Sequence, residues 1–174
     1  MRLILGVSAD GYLAREKNDR MDWLGPTDKQ VFRILTGVGS VCGVSAKSAA
    51  LMPKTLPGRQ MQIISRSGDD CMTLVEFANR HQDGWLLGGP TLAMAALEMD
   101  LLAEVHICRS SRYAYPDCMR AGVIGDCVTR YLKANQRFPG AKSWWHLGLE
   151  TPIGDLKVER WKRWKSYEQQ GPRE

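Results

Sequence analysis

The sequence predicts an α/β fold, a mostly parallel central sheet with flanking helices and antiparallel strands at its C-terminal end. Two observations carry that expectation. Short apolar runs alternate with helix-period segments through residue 109, the order that builds a parallel sheet covered on both faces. Beyond it the chain changes character, and Leu156–Trp164 alternates residue by residue, which suits an antiparallel edge strand. With 174 residues, 44% of them hydrophobic and 25% charged, the chain can build one core of its own. A single domain is expected over residues 1–170, with 171–174 as a loose tail.

Leu3–Ser8 is a short apolar run punctuated by Asp10-Gly11, and reads as a buried strand. Arg15–Arg20 is polar and reads as a mobile loop. Thr27–Leu35 reads as a helix, with Pro26 just before it, Asp28 in its first turn, and Phe32 and Leu35 at helical spacing. Ser40–Val44 is a second strand. Leu56-Pro57-Gly58 is a turn into a strand at Gln60–Ser65. Leu74–His81 fits a helix, Trp85–Leu87 a short strand running into Gly88-Gly89, Leu92–Met99 a helix and Glu104–Arg109 a strand. The length of Tyr113–Arg137 suggests an insertion near the sheet edge.

Composition narrows the function classes. No apolar run approaches the roughly 18–20 residues of a membrane span. Met1–Ser8 is too short for a signal-peptide core, so a reducing cytoplasm is expected. Cys42, Cys71, Cys108, Cys118 and Cys127 are odd in number and show no C-x-x-C spacing, which argues against a disulfide framework or zinc ribbon. His106 and Cys108 would share a strand face, but no further ligand has helpful spacing, so packing is expected and no metal. His81 and His146 read as surface or packing residues. Residues 133–174 carry nine basic and five acidic side chains, +4 of the total of +5. There Trp161-Lys162-Arg163-Trp164-Lys165 interleaves rings and cations as single-strand binders do. Three positions apart on a strand, however, the two Trp face opposite ways, so nucleic acid is not the expected partner.

Four places can carry chemistry. Gly88-Gly89-Pro90-Thr91 joins a strand to a helix, where backbone can approach a ligand closely and N–H groups can meet a phosphate. It lacks G-x-G-x-x-G, and taken alone a tight strand-to-helix turn is the plainer reading. Asp28 and Phe32, four apart, share a helix face; a carboxylate beside a ring suits a flat, nitrogen-rich heterocycle. Taken alone, Asp28 is also an ordinary N-terminal helix Asp. Arg59 follows a rigid Pro-Gly turn, a good seat for a guanidinium gripping a carboxylate or phosphate, although taken alone a solvated surface Arg is the plainer reading. Ser65-Arg66-Ser67 follows a strand end, where ligands of open sheets sit, and reads either as a phosphate loop or as an ordinary polar one.

Together these motifs resemble dihydrofolate reductase. Met21-Asp22-Trp23, Pro26-Thr27-Asp28, Phe32, Leu56-Pro57-Gly58-Arg59 and Gly88-Gly89 stand in that family's order over about 110 residues. The resemblance implies a dihydrofolate reductase-like sandwich, active as a monomer or homodimer. It implies NADPH-dependent reduction of 7,8-dihydrofolate, with hydride delivered to C6 and a proton to N5, and makes antifolate inhibitors candidate ligands. Asp28 would hold the pterin edge and, with no His or second carboxylate beside it, polarise the ring while water protonates N5. Phe32 would pack on the substrate, with Leu56 nearby. Arg59 would pair with its α-carboxylate. Ile4 would offer a backbone carbonyl, and Met21 and Trp23 would belong to the lid. The cofactor wall would be Gly6, Leu13, Gly43, Val44, Ser45, Ser65, Arg66, Leu87, Gly88, Gly89, Pro90, Thr91 and Leu92, with a cis bond at Gly88-Gly89.

There are departures from the family pattern. The basic residue usual after Gly43, which meets the cofactor 2′-phosphate, is replaced by Val44, and Arg66 is the candidate substitute. Cys108 takes the place of the hydroxyl beside the catalytic carboxylate, and Ala93 that of an aromatic. Beyond Arg109 the match is weak. Ser8-x-Asp10-Gly11 and Gly88-Gly89-Pro90 are also similar to the riboflavin-biosynthesis reductase domain. That resemblance implies the alternative of an NADPH-dependent reductase of a ribosylaminopyrimidine phosphate. Its substrate lacks a glutamate tail, so the Asp28, Phe32 and Arg59 set favours folate.

Overall fold

A computed structural model describes residues 1–14, 19, 22–52, 56–65, 72–111, 124–136 and 143–165. A seven-stranded sheet forms the centre. In chain order its strands are β1 (Arg2–Val7), β3 (Val41–Ser45), β4 (Gln60–Ile64), β5 (Trp85–Leu86), β6 (Glu104–Ser110), β8 (Ser143–Ile153) and β9 (Leu156–Lys165). In space they run β4-β3-β5-β1-β6-β9-β8. The first five are mutually parallel, while β9 runs antiparallel to β6 and β8 antiparallel to β9. A small second sheet pairs β2 (Tyr12–Ala14) with β7 (Ile124–Gly125).

Both faces of the parallel half are covered, which is why β1 reads as an unbroken apolar run. Leu3, Leu5 and Val7 point to one face, where they meet Phe77 of α3 (Leu74–Arg80), Ala93, Ala96 and Leu97 of α4 (Pro90–Glu98), and Val128 and Leu132 of α5 (Cys127–Ala134). Ile4 points to the other face, with Val44, Leu87, Cys108 and Val158, under Val31, Phe32 and Leu35 of α1 (Gly25–Thr36). The four-residue α2 (Ala46–Ala49) follows β3 on that face. Gly43 has no room for a side chain, since a Cβ would lie 2.5 Å from Ile64 Cδ1 and 2.9 Å from Phe77 Cζ.

The predicted alternation through residue 109 stands, with ends shifted by one or two residues. The C-terminal third differs in three ways. First, β9 is not an edge: it lies between β6 and β8. Its charges, which look solvated in sequence, are absorbed across strands. Arg160 grips Glu104 at 2.6 and 3.1 Å, Glu159 accepts from Arg109 at 2.9 Å, Lys157 reaches Glu150 at 2.9 Å, and Arg163 pairs with Asp100. Second, the edge is β8, unread in sequence because Gly148 and Pro152 interrupt its alternation; the register shifts at that glycine. Third, α5 is not an insertion at the edge. Val128 and Leu132 are fully buried in the central core, and residues 112–123 lie outside the described ones, as do Cys71, Cys118 and most of the loop Arg15–Arg20. Cys42, Cys108 and Cys127 are free thiols. Among the described residues no helix is long and apolar enough to cross a membrane.

One ionic knot ties this third to the rest. Arg109 donates to Glu159 on β9 at 2.9 Å, and to Asp126 (3.2 Å) and Thr129 (3.1 Å) at the start of α5. Burial opposes ionisation of Glu159, but the Arg109 hydrogen bond and charge outweigh it and hold the carboxyl below its ordinary range. Arg109→Met leaves two buried carboxylates without their shared cation. It is expected to cost about 3–5 kcal/mol in chemical denaturation; a loss under 1 kcal/mol would show that the knot is solvent-relaxed.

Candidate functional site

A cleft of about 1450 Å³ opens at the carboxyl ends of β1, β3, β4 and β5. Parallel strands end there together while the helices that follow them begin there, so side chains from distant segments converge. Most residues singled out in the sequence line it: Ile4, Gly6, Leu13, Asp28, Phe32, Ser45, Leu56, Arg59, Ser65, Leu87, Gly88, Gly89, Pro90, Thr91 and Leu92. Four sit outside its lining. Gly43 and Val44 lie in the sheet interior, Gly43 against Phe77. Cys108 is fully buried, and Trp23 is 6% exposed. Met21 and Arg66 lie outside the described residues.

Asp28 stands in the first turn of α1, one turn before Phe32. Among the described residues it has no hydrogen-bond partner. Burial pushes its carboxyl up to about 6, with Lys29 pulling weakly the other way. Cys108 lies close enough that the Asp28 charge, added to burial, raises its thiol to about 12. The thiol therefore stays neutral, and the proton that can move near neutral pH belongs to Asp28.

Arg59 is held by its own fold. Its Nε donates to Thr36 Oγ1 at 2.9 Å, and its terminal nitrogens to Pro57 O at 2.6 Å and Arg33 O at 2.7 Å. The plane lies 5.9 Å from the Phe32 ring centroid. These bonds cap the C-terminal end of α1 with positive charge and fix the guanidinium, leaving part of its five-donor fork for a ligand. Cys42 feels that cation, but burial dominates and raises its thiol to about 11.

The Gly88–Gly89 bond is trans, not cis as the resemblance implies. The chain turns here through two successive positive φ values, 69° and 68°, which glycines reach without a Cβ penalty. A Cβ on Gly88 would stand 2.8 Å from Leu5 Cδ2, and one on Gly89 3.0 Å from Ser48 Oγ. Gly89 caps α4 with no side-chain hydrogen bond, so the first-turn N–H groups at the cleft are left for other acceptors. Gly6 is close to Leu24, where a Cβ would fall 2.1 Å from Leu24 Cδ1.

Other lining residues were not read from the sequence. Lys47 and Ser48 of α2 line the cleft beside Ser45, whose Oγ accepts from Ser48 N at 3.1 Å. Thr73 arrives through a capping box with Glu76, a T-x-x-E signal that was legible before the helix. Asp19 also lines the cleft and accepts from Trp23 Nε1 at 3.0 Å, so Trp23 touches the site through a wall residue. Among the described lining residues Lys29, Arg33, Lys47 and Arg59 stand against Asp19 and Asp28, a balance of +2 that favours anionic ligands. Among the described residues no cluster of three His, Cys, Asp or Glu could hold a metal ion.

No protein-family model matches the chain, and no curated protein matches it.

The raised Asp28 carboxyl makes stability depend on pH. Unfolded, an Asp ionises near pH 3.9; folded, this one ionises near 6. Below pH about 4 both states are protonated and nothing is lost. Between about pH 4 and 6 the unfolded state ionises while the folded state holds its proton, so stability falls, and it levels off once pH has risen through the folded value. Asp28→Asn is expected to match the wild type at pH about 4 and exceed it by roughly 2–3 kcal/mol at neutral pH. Equal denaturation midpoints at both pH values would show that Asp28 is solvated.

Proposed function

We propose that this chain is an NADPH-dependent reductase that converts 7,8-dihydrofolate to tetrahydrofolate, as its resemblance to dihydrofolate reductase implies. The observation that carries the reading is Asp28, a half-buried carboxyl without a hydrogen-bond partner among the described residues. It faces a large cleft one helical turn from Phe32. An ionised carboxyl in that setting can accept two parallel hydrogen bonds from an amino-pyrimidine edge while the ring packs on Phe32. With its proton affinity lifted to about 6, Asp28 is poised near working pH, the condition for general acid–base work. In this reading Asp28 polarises the heterocycle and water hands the proton to N5. The Ile4 backbone borders the ring, and the fixed Arg59 meets the α-carboxylate of the glutamate tail.

The opposite wall fits an anionic dinucleotide. The uncapped start of α4, the close backbone approach at Gly88 and Gly89, the hydroxyls of Ser45, Ser48 and Ser65, and Lys47 would hold its phosphates. NADPH would supply the hydride; the protein's part is to hold the substrate against it and exclude water.

A second reading, reduction of a ribosylaminopyrimidine phosphate, draws on one observation. Arg59 already serves α1 through two hydrogen bonds, to Thr36 and Arg33, a role that needs no glutamate tail. One assay separates the two. The purified chain should consume NADPH with dihydrofolate and stop with methotrexate. Consumption only with the ribosylaminopyrimidine phosphate would transfer the assignment to the second reading, and none with either would end both.

Two substitutions then place the roles. Asp28→Asn is expected to lower turnover roughly 10²–10⁴-fold. It should also remove the pH dependence that titration of Asp28 imposes on the rate near pH 6. Arg59→Ala is expected to weaken dihydrofolate binding by roughly 1.5–3 kcal/mol, seen in KM more than in kcat. Unchanged affinity would remove the tail assignment.

A further inference from the structure

The interleaved segment Trp161–Lys165 takes no part in the cleft. Trp161 and Trp164 do face opposite ways: Trp161 is 1% exposed in the core, Trp164 47% exposed. A single exposed ring makes no platform, and the sequence offers no second one nearby. The register supplies it. Trp144 of β8 is the cross-strand partner of Trp164, with ring centroids 6.4 Å apart and planes inclined by 26°. His146 meets the same Trp164 edge-on at 6.1 Å. Lys162 stands opposite His146, and Arg160 opposite the exposed Leu149. Residues 160, 162 and 164 alternate onto one side of β9, so rings and cations share one face.

We propose that this face of the β8–β9 hairpin binds single-stranded nucleic acid, with Trp144 and Trp164 stacking bases and Lys162 meeting the phosphate backbone. Stacking is indifferent to sequence, because every base has a π-face, and the cation tracks the chain. Charge complementarity favours this occupant. Glu104 neutralises Arg160, but Lys162 on the same face has no ion-pair partner among the described residues. A second copy of the chain on this face would bring the Lys162 side chains of both copies to one buried surface. A polyanion is drawn to the charge that a like-charged copy must bury.

The test is fluorescence anisotropy of a labelled oligothymidylate of about 12 nucleotides, titrated with the intact protein at several salt concentrations. Binding that weakens as salt rises is expected. Trp164→Ala should weaken it roughly 5- to 100-fold, with an unchanged thermal melt showing that the fold survives. Lys162→Ala, an independent surface change, should flatten the salt dependence by about 0.7 in log–log slope. Lys133→Ala removes the same charge from α5, on the other side of the sheet, and should leave binding near wild type. No binding at the lowest salt overturns the proposal, as does equal weakening by Lys133→Ala. A concentration-dependent dimer in light scattering that Trp164→Ala dissolves assigns the face to a second copy instead, and also overturns it.

Discussion

A parallel sheet covered on both faces leaves ligands only its ends. In this protein β1 sits near the middle, with β5 and β6 as neighbours, and its side chains are consumed alternately by two cores. Nothing can bind on those faces without displacing a helix. At the carboxyl ends, however, each strand must turn into the segment that carries it away, and the turns diverge. The space between them is the cleft. The positive φ values of Gly88 and Gly89 are the local form of this constraint. They let β5 end against Leu5 and α4 begin without a side chain in the gap.

Burial acts on two sets of charges here, with opposite results. Glu159 is 4% exposed, yet it stays ionised because Arg109 is within hydrogen-bonding distance and Asp126 and Thr129 hold that cation from the other side. Asp28 is less deeply buried, but Lys29 gives it little and Cys108 gives it nothing but a neutral thiol. Desolvation therefore wins at Asp28 and loses at Glu159. The first arrangement holds secondary structure together. The second leaves a proton free to respond to whatever occupies the cleft. Arg59 shares both characters: its guanidinium stabilises the end of α1, and the same bonds aim it.

The antiparallel third follows other rules. Its strands bury one face against α5 through Trp145 and Trp161, while the other face carries Trp144, His146 and Trp164. The bulge at Gly148 reverses the phase of β8, so Leu147 pairs with Trp161 while Leu149 pairs with Arg160. That single inserted residue, unpaired in the register, decides which apolar side chains β8 shows to solvent.

The sequence by itself determined the element order through residue 109, the place of Asp28 and Phe32 on one helix face, and the turn that carries Arg59. All of these are short-range: hydrophobic period, proline and glycine, and capping operate over a few residues. It also fixed that Trp161 and Trp164 diverge. Only the tertiary structure decided that β9 is interior, that Gly43 faces Phe77 rather than the cleft, that Gly88–Gly89 is trans, and that Lys47 and Thr73 join the lining. The trans bond is the ordinary local preference of a peptide; for the other three the physical reason is common. Strand order, ion pairing and convergence at the sheet edge are set by contacts between residues tens of positions apart. The energy of those contacts depends on what else is buried beside them, as the 50-residue separation of Arg109 and Glu159 shows.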